Sequence, residues 1–278
     1  MTSAVTTVVI TRDRLDQLRA TLPRHRAPVV VVDNGSRDGT VEYVREHHPG
    51  VRVVALAENL AGAARTLGVR AAATPFVAFA DDDSWWEPGA LDRAADVLSG
   101  HPGIAVLAAR VLVEPGARED PFNAVLADSP LTDAPDLPGV PVLGFMACAS
   151  VVRRDAFLAA GGFSRLLGIG GEEQVLAWDL AARGLHLRYE PSLVAHHEPR
   201  PSPSRGSRRT RSLRRAALTA AVLRRPWTDV ARIAVRGLLA SPADRAGVAA
   251  ALLDLPAALR ERRPLPPDVL ARIHTLGD

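Results

Sequence analysis

The first 113 residues of this chain predict an α/β fold: a doubly wound, mostly parallel sheet flanked by helices. Short β-branched or apolar runs at 5–10, 29–32, 51–56, 76–80 and 104–113 alternate with helical patterns, as in repeated βαβ units. Several of these runs are continuously apolar, which suits strands buried on both faces. The run at 76–80 also leads straight into Asp81, Asp82 and Asp83. Open α/β sheets bind ligands outside the carboxyl ends of their strands, where these acids fall.

The first strand is the β-branched run 5–10. Thr11-Arg-Asp-Arg14 links it to a helix through Leu15, Leu18 and Leu22, which Pro23 stops. The second strand, 29–32, ends in Asp33-Asn-Gly-Ser36. There the carboxylate either accepts hydrogen bonds from a base or ribose, or begins an Asx-type turn. Asp38-Gly-Thr40 starts a helix whose Val41 and Val44 face the sheet; 51–56 is the third strand and 61–73 an alanine-rich helix.

After the fourth strand, three adjacent carboxylates repel one another unless a cation sits among them, and oxygen ligands favour Mg²⁺ or Mn²⁺. The competing reading is a solvated turn in which Asp83 or Ser84 caps a helix beginning near Pro88. That helix runs to Leu98, and 104–113 is the next strand.

From 114 to 141 the period lapses. Prolines at 115, 121, 130, 135, 138 and 141 predict a long loop. A strand at 145–152 and a helix at 154–160 follow, then flexible turns at Gly161-Gly-Phe163 and 168–171. Residues 172–183 read as a helix stopped by Gly184. Glu172 and Glu173 at its start either complement the helix dipole or include a general base. Short strands at 186–189 and 193–195 lead to His196-His197-Glu198. Strand neighbours point to opposite faces, so at most one histidine reaches a site begun by the carboxylates.

The tail opens with Pro199-Arg-Pro-Ser-Pro-Ser and turns helical, with Leu213, Ala217, Ala220, Ala221 and Leu223 on one face and arginines opposite. Further helical segments cover 229–239 and 243–260, before Pro264-Leu-Pro-Pro267. Between 199 and 228 there are nine arginines and no acid. Such a segment is a solvated face, or binds nucleic acid, anionic lipid or an acidic substrate; composition does not choose.

At 278 residues, 47% hydrophobic, the chain supports one sizeable core and an appendage. The single cysteine, Cys148, allows no intrachain disulfide and fits a reducing cytoplasm. Residues 1–10 lack the pattern of a signal peptide, and no window holds eighteen uninterrupted apolar residues, so neither export by that route nor a membrane span is expected. No G-x-G-x-x-G follows the first strand and no P-loop is present, which argues against an NAD site and a P-loop nucleoside triphosphatase.

The ordered set of motifs over 5–197 resembles family 2 glycosyltransferases of the GT-A fold, a Rossmann-like, mostly parallel sheet flanked by helices. The matching pieces are Val-Val-Ile-Thr11, Val-Val-Val-Asp33-Asn-Gly-Ser36, Asn59-Leu-Ala-Gly62-Ala-Ala-Arg65, Phe-Ala-Asp81-Asp-Asp83, Gly161-Gly-Phe163, Gly171-Glu-Glu173 and Tyr189-Glu-Pro-Ser-Leu-Val-Ala-His196-His197. The order, more than any single piece, carries the likeness.

The resemblance implies an inverting, metal-dependent transfer of sugar from a nucleoside-diphosphate-sugar to an acceptor hydroxyl. It assigns the base pocket to Asp33 and Thr11, and the surrounding donor site to Gly62, Arg65, Asp81 and Asp82. A divalent ion, Mn²⁺ or Mg²⁺, falls to Asp81, Asp83 and His197, where it acts as a Lewis acid on the departing diphosphate. Glu173 is the implied catalytic base, with Glu172 as neighbour or fallback. The chain departs from the family pattern at Glu173, where Asp is usual, and at Asp13 and Thr66, where Asn is frequent.

The implied organisation is a transferase domain over 1–198, with a donor half at 1–113 and an acceptor half at 114–198. A helical extension covers 199–278. The implied partners are the donor and a glycan or lipid-linked acceptor of a cell-envelope polysaccharide; the arginine-rich helix of the tail adds the expectation of a peripheral membrane contact. No nucleic acid is expected, and the location is cytoplasmic, at the inner face of the membrane. Two other readings stand beside this one. A catalytically impaired sugar-nucleotide-binding scaffold is raised by the Glu at 173. A sugar-phosphate nucleotidyltransferase would want a glycine-rich phosphate loop, which Thr11-Arg-Asp-Arg14 lacks.

Overall fold

The computed structural model describes residues 3–26, 28–133, 136–168, 170–199 and 206–277. Its first half alternates strand and helix: β1 Val5–Thr11, α1 Leu15–Thr21, β2 Val29–Asp33, α2 Thr40–His47, β3 Arg52–Ala55, α3 Ala64–Ala71, β4 Phe76–Asp81, β5 Ser84–Trp86, α4 Ala90–Gly100 and β6 Ile104–Val113. The second half holds β7 Arg118–Glu119, α5 Pro121–Ala127, β8 Val140–Pro141, β9 Ser150–Arg153, α6 Arg154–Ala159, α7 Glu172–Ala181 and β10 His186–His197. The tail contains α8 Gly206–Arg224, α9 Trp227–Leu239, α10 Pro242–Arg260 and α11 Pro267–Thr275.

One sheet runs through the molecule in the order β3-β2-β1-β4-β9-β6-β10-β5. The strands from β3 to β4 are parallel to their neighbours, as are β6 and β10. β9 runs antiparallel between β4 and β6, and β5 runs antiparallel at the far edge. The sheet is therefore mixed: it is parallel from β3 to β4, as the sequence predicts, but the antiparallel β9 separates β4 from β6, where the sequence predicts a continuing parallel sheet. The register decides where the chemistry lies: Thr11 pairs with Asp33 and Ile10 with Asp81, so these residues end their strands along one edge.

The apolar runs pack both faces of the sheet. On one face Val8, Val32, Val77 and Phe79 meet Val69 of α3, Phe157 of α6 and Leu176 and Leu180 of α7. The opposite face is covered in two patches. Leu18, Leu22 and Val44 meet Val9 and Val31, while Ala94 and Leu98 meet Ala78 and Leu107. Gly68 has a definite reason to lack a side chain: a Cβ there would overlap Val8 and Val32, so α3 lies directly on β1 and β2.

Several elements differ from the sequence reading. Pro23 does not end its helix abruptly, because Leu22–Arg24 continues as a 3₁₀ turn. In α2, Thr40 and Val44 are buried, and Val41 is only half-buried. The loop expected at 114–141 contains β7, α5 and β8, because Pro121 opens α5 and Asp120 caps it, accepting from the Phe122 N–H at 2.8 Å. Pro135 lies outside the described residues. The strand expected at 145–152 shortens to β9 behind a 3₁₀ turn at Ala147–Ala149. The two short strands at 186–189 and 193–195 are one strand, β10, whose register shifts between Glu190 and Val194. Pro191 sits in that irregularity, where a missing N–H does no harm to the ladder. The helix-cap reading of Asp83 and Ser84 also fails: Ser84 begins β5, and its Oγ accepts from the Asp81 N–H at 2.8 Å.

The tail packs onto the core. Ala220 and Leu223 of α8 and Val269 and Ile273 of α11 share an apolar cluster with Val175, Trp178 and Ala181 of α7. Of the six arginines of α8, Arg214, Arg215 and Arg224 are drawn into ion pairs, while Arg208, Arg209 and Arg211 stand exposed. Arg214 meets Asp244 at 2.8 Å, Arg215 meets Asp254 at 2.7 Å, and Arg224 meets Asp179 at 2.6 Å. The Pro-Ser stretch at 200–205 that opens the tail lies outside the described residues. Among the described residues no helix is long and apolar enough to cross a membrane.

Candidate active site

Three features converge at the carboxyl edge of β1, β2 and β4. The first is the Asp33 turn, where both sequence readings find an atom. Asp33 Oδ2 accepts from the Ser36 N–H at 3.0 Å, which makes the turn. Oδ1 is buried without a hydrogen-bond partner, as is Thr11 Oγ1 on the neighbouring strand. Buried polar oxygens without partners are uncommon and mark places where a ligand can supply a donor.

The second feature is the run Asp81-Asp82-Asp83. The charge that seemed to require a cation is met by two arginines. Arg65, buried in α3, ion-pairs with Asp81. Arg14, at the entry to α1, reaches Asp82 at 3.2 Å and Asp83 at 3.0 Å. Burial pushes the Asp82 carboxyl up to about 7, against the opposing charge of Arg14. Burial also acts on Asp83, but the hydrogen bond and charge of His197 and the charge of Arg14 outweigh it, so this carboxyl is held below the ordinary carboxylate value. His197 Nε2 lies 3.5 Å from Asp83 Oδ1, and that hydrogen bond raises the imidazole above its usual value.

The two histidines diverge, as alternation along a strand requires. His196 Nδ1 is 2.9 Å from Glu114 Oε1, and its ring stacks on Trp85 with centroids 5.3 Å apart. The three-residue ligand set Asp81, Asp83 and His197 is not gathered: among the described residues no cluster of three acid, histidine or cysteine side chains stands ready for a metal. Asp81 turns to Arg65, and only Asp83 and His197 face one another. That pair, a hard oxygen and an imidazole, suits two positions around Mn²⁺ or Mg²⁺ and leaves the others to ligand oxygens or water.

The third feature is the start of α7. Gly171 precedes it at a positive φ of 95°, so Glu172 and Glu173 form its first turn. Glu172 is buried, with one carboxylate oxygen lacking a partner. Desolvation, helped by the charge of Glu173, pushes its carboxyl up to about 8. The other oxygen fills the space over Gly62, where any Cβ would collide with it. Glu173 is half-buried beside it, and both charges act on Arg65. Backbone contacts tie these parts together: the Gly62 N–H donates to the Gly168 carbonyl at 3.3 Å, and Thr66 Oγ1 accepts from the Phe163 N–H at 3.0 Å. The glycine turns at 161–171 thus lock α7 against α3.

Thr11, Asp33, Gly62, Arg65, Asp81, Asp82, Asp83, Glu172, Glu173 and His197 are all brought to this edge by the fold. Arg14 is the residue the sequence reading missed. Its signal was its place just after the first strand, on the edge where the acids end.

The pattern that defines Glycosyl transferase family 2 matches residues 8–159. Among curated proteins, the chain is 36% identical over 211 residues to the pre-mycofactocin glycosyltransferase of Mycobacterium tuberculosis, covering 69% of this chain and 42% of that protein. It is 32% identical over 203 residues to the N-acetylglucosaminyl-diphospho-decaprenol L-rhamnosyltransferase of the same species, covering 61% of this chain and 66% of the relative. The chain thus spans less than half of the first relative's length. Among solved structures it is similar to the mannosyltransferase PcManGT from Pyrobaculum calidifontis in complex with GDP-Man and Mn²⁺, with a TM-score of 0.59 at 22% identity over 99% of this chain and 75% of that one. It is also similar to S. aureus TarS 1-349 in complex with UDP-GlcNAc, with a TM-score of 0.61 at 18% identity over 98% of this chain and 84% of that one. At these identities the structural likenesses establish the fold.

Proposed function

Because the chain belongs to glycosyl transferase family 2 and has the GT-A fold, we propose that it moves a sugar from a nucleoside-diphosphate-sugar to an acceptor hydroxyl, with inversion at the anomeric carbon. One observation supports this above the rest: unpartnered buried oxygens on Thr11 and Asp33, the Asp81–Asp83 run and the Glu172–Glu173 pair share one sheet edge. The similar structures that hold GDP-Man with Mn²⁺, and UDP-GlcNAc, bind the same class of donor.

In this reading Asp33 Oδ1 and Thr11 Oγ1 take the donors of the nucleoside, and Asp81, Asp82 and Arg65 line the ribose and diphosphate. Asp83 and His197, with Asp81 on the same run, are the residues that would hold a divalent ion, Mn²⁺ or Mg²⁺. When bound, the ion supplies positive charge beside the diphosphate. Glu173 accepts the proton of the acceptor hydroxyl as that oxygen bonds to the anomeric carbon; the bond to the diphosphate oxygen breaks and its electron pair leaves with the nucleoside diphosphate. Glu172, protonated below about pH 8, adds no second negative charge beside the attacking oxygen. We assign the donor half to 1–113, the acceptor half to 114–198 and the extension to 199–278, and take the acceptor to be a glycan or lipid-linked glycan. The tail then holds the enzyme at the inner, cytoplasmic face of the membrane.

A panel of UDP-, GDP- and dTDP-sugars, scored for thermal stabilisation and slow donor hydrolysis with Mn²⁺, Mg²⁺ or EDTA, tests this. The expected result is metal-dependent stabilisation by one donor, with hydrolysis lost in Glu173→Gln. Stabilisation with no hydrolysis, and no transfer to any acceptor, would instead mark a sugar-nucleotide-binding scaffold.

A further inference from the structure

Eight of the ten large apolar side chains that stand exposed among the described residues lie on α8, α9 and α10. The most exposed are Leu239, at 81%, and Leu253, at 83%. Single exposed leucines need no explanation, but this concentration on one helical unit does.

The packing of that unit shows where its ends lie. A Cβ on Gly170 would meet Leu213, and one on Gly171 would meet Ala216, so the first half of α8 abuts the turn that opens α7. Gly237 of α9 and Gly247 of α10 both pack against Arg214. The end of α9 and the start of α10 therefore sit at the same end of α8. That end gathers exposed Leu238 and Leu239 with Arg208, Arg209 and Arg211, and it adjoins Glu172 and Glu173. From Gly206 to Arg263 thirteen arginines face only four acids. Arg214, Arg215, Arg224 and Arg225 are spent in ion pairs with Asp244, Asp254, Asp179 and Asp229. Arg208, Arg209 and Arg211 stand exposed.

We infer that this basic, leucine-tipped end of α8–α10 is a docking surface for an anionic lipid bilayer, and that it sets the acceptor side of the active site against the headgroups. Charge chooses this occupant. Exposed leucines flanked by arginines match an interface whose headgroups are negative and whose acyl boundary is apolar. A second copy of the chain, joined about a two-fold axis, would set this arginine cluster near its own image. A nucleic-acid backbone would use the arginines and leave the leucines in water. The inference deepens the proposed function, on which it rests for the acceptor, a sugar acceptor carried on lipid.

Vesicle co-sedimentation of the full chain tests it without depending on turnover. Binding is expected to phosphatidylcholine vesicles containing about one third phosphatidylglycerol, and not to phosphatidylcholine alone. Leu238→Glu/Leu239→Glu should lose at least about tenfold in vesicle affinity. Arg208→Gln/Arg209→Gln/Arg211→Gln should lose about a hundredfold and flatten the salt dependence. Both variants should keep wild-type melting temperature and donor hydrolysis in solution. Equal recovery of wild type and both variants on anionic vesicles would overturn the inference, and so would a wild-type dimer that the leucine variant turns into monomer. Absence of both donor hydrolysis and transfer to any acceptor in the wild type would count against the proposed function and leave the vesicle result readable.

Discussion

The two adjacent glutamates at the head of α7 differ by environment more than by chemistry. Glu173 is half-buried beside Arg65, whereas Glu172 is sealed over Gly62 with its carboxyl pushed up to about 8. If Glu173 takes the acceptor proton, Glu173→Gln should lower turnover by about 10²–10⁴ and leave donor-induced stabilisation intact. Glu172→Gln, which mimics the protonated form, should retain most of the activity at neutral pH. It should also change stability in a defined direction. The folded-state value of Glu172 lies above its ordinary 4.5, so wild-type stability falls as pH rises from about 4.5 toward 8, by at most about 1.4 kcal/mol per pH unit. Asp82, pushed up to about 7, adds a loss of the same sign from 3.8 to 7. Melting temperatures across pH 4–9 should therefore show a smaller decline in Glu172→Gln than in wild type; an unchanged decline would remove Glu172 from this account. Arg14 bears on the neighbouring acids. Its guanidinium holds Asp82 and Asp83 where a divalent ion would sit, so Arg14→Gln should tighten Mn²⁺ binding in the absence of donor, roughly tenfold. Titration followed by the spin resonance of free Mn²⁺ reads this directly.

At the scale of elements, α3 and the turn before it carry two glycine contacts that separate stability from chemistry. Gly68 lies against Val8 and Val32 in the sheet, so Gly68→Ala overpacks a filled core and should cost about 1–3 kcal/mol. Just before α3, the atoms nearest a Cβ built on Gly62 belong to the Glu172 side chain. Gly62→Ala should move that group and depress turnover more than melting temperature; comparing the two variants by thermal melt and donor hydrolysis checks both. The elements of the first 113 residues were legible because their signal is local: β1, β2, β4 and β6 are apolar runs bounded by turn residues. The acids at the ends of β2 and β4 and the glutamates after Gly171 were legible for the same reason. What misled was proline. Read as a breaker at 121, it instead opens α5, and Pro191, between the two short strands the sequence predicts, sits within the irregularity of one long β10. Both roles depend on neighbours in space, the Asp120 cap and the pairing with β6. The partners of Arg14 and Arg65 were equally hidden, since the acids they meet lie up to 69 residues away.

For the molecule as a whole, the helices of the tail were readable, but their attachment was not. Nine arginines between 199 and 228 look like a solvated face until the acids that meet four of them, Arg214, Arg215, Arg224 and Arg225, are placed. Asp179 lies on α7, and Asp244 and Asp254 lie on α10. The Arg224–Asp179 pair is the telling one, because it joins the tail to the helix that carries Glu172 and Glu173. It is two-pronged, at 2.6 and 2.8 Å, and its side chains are only 12% and 19% exposed. Beside it runs an apolar cluster shared by α7, α8 and α11. A tail held this way should unfold with the sheet. Calorimetry is expected to give one cooperative transition for the full chain, with matching calorimetric and van't Hoff enthalpies; two transitions would mean an extension that folds by itself. Removing one partner leaves a mostly buried charge unpaired, so Arg224→Ala and Asp179→Ala should each cost about 1–3 kcal/mol, with a coupling of about 1–2 kcal/mol in the double-mutant cycle. If the tail also steadies the head of α7, both variants will lower turnover at temperatures well below their melting points, while donor-induced stabilisation stays at the wild-type value.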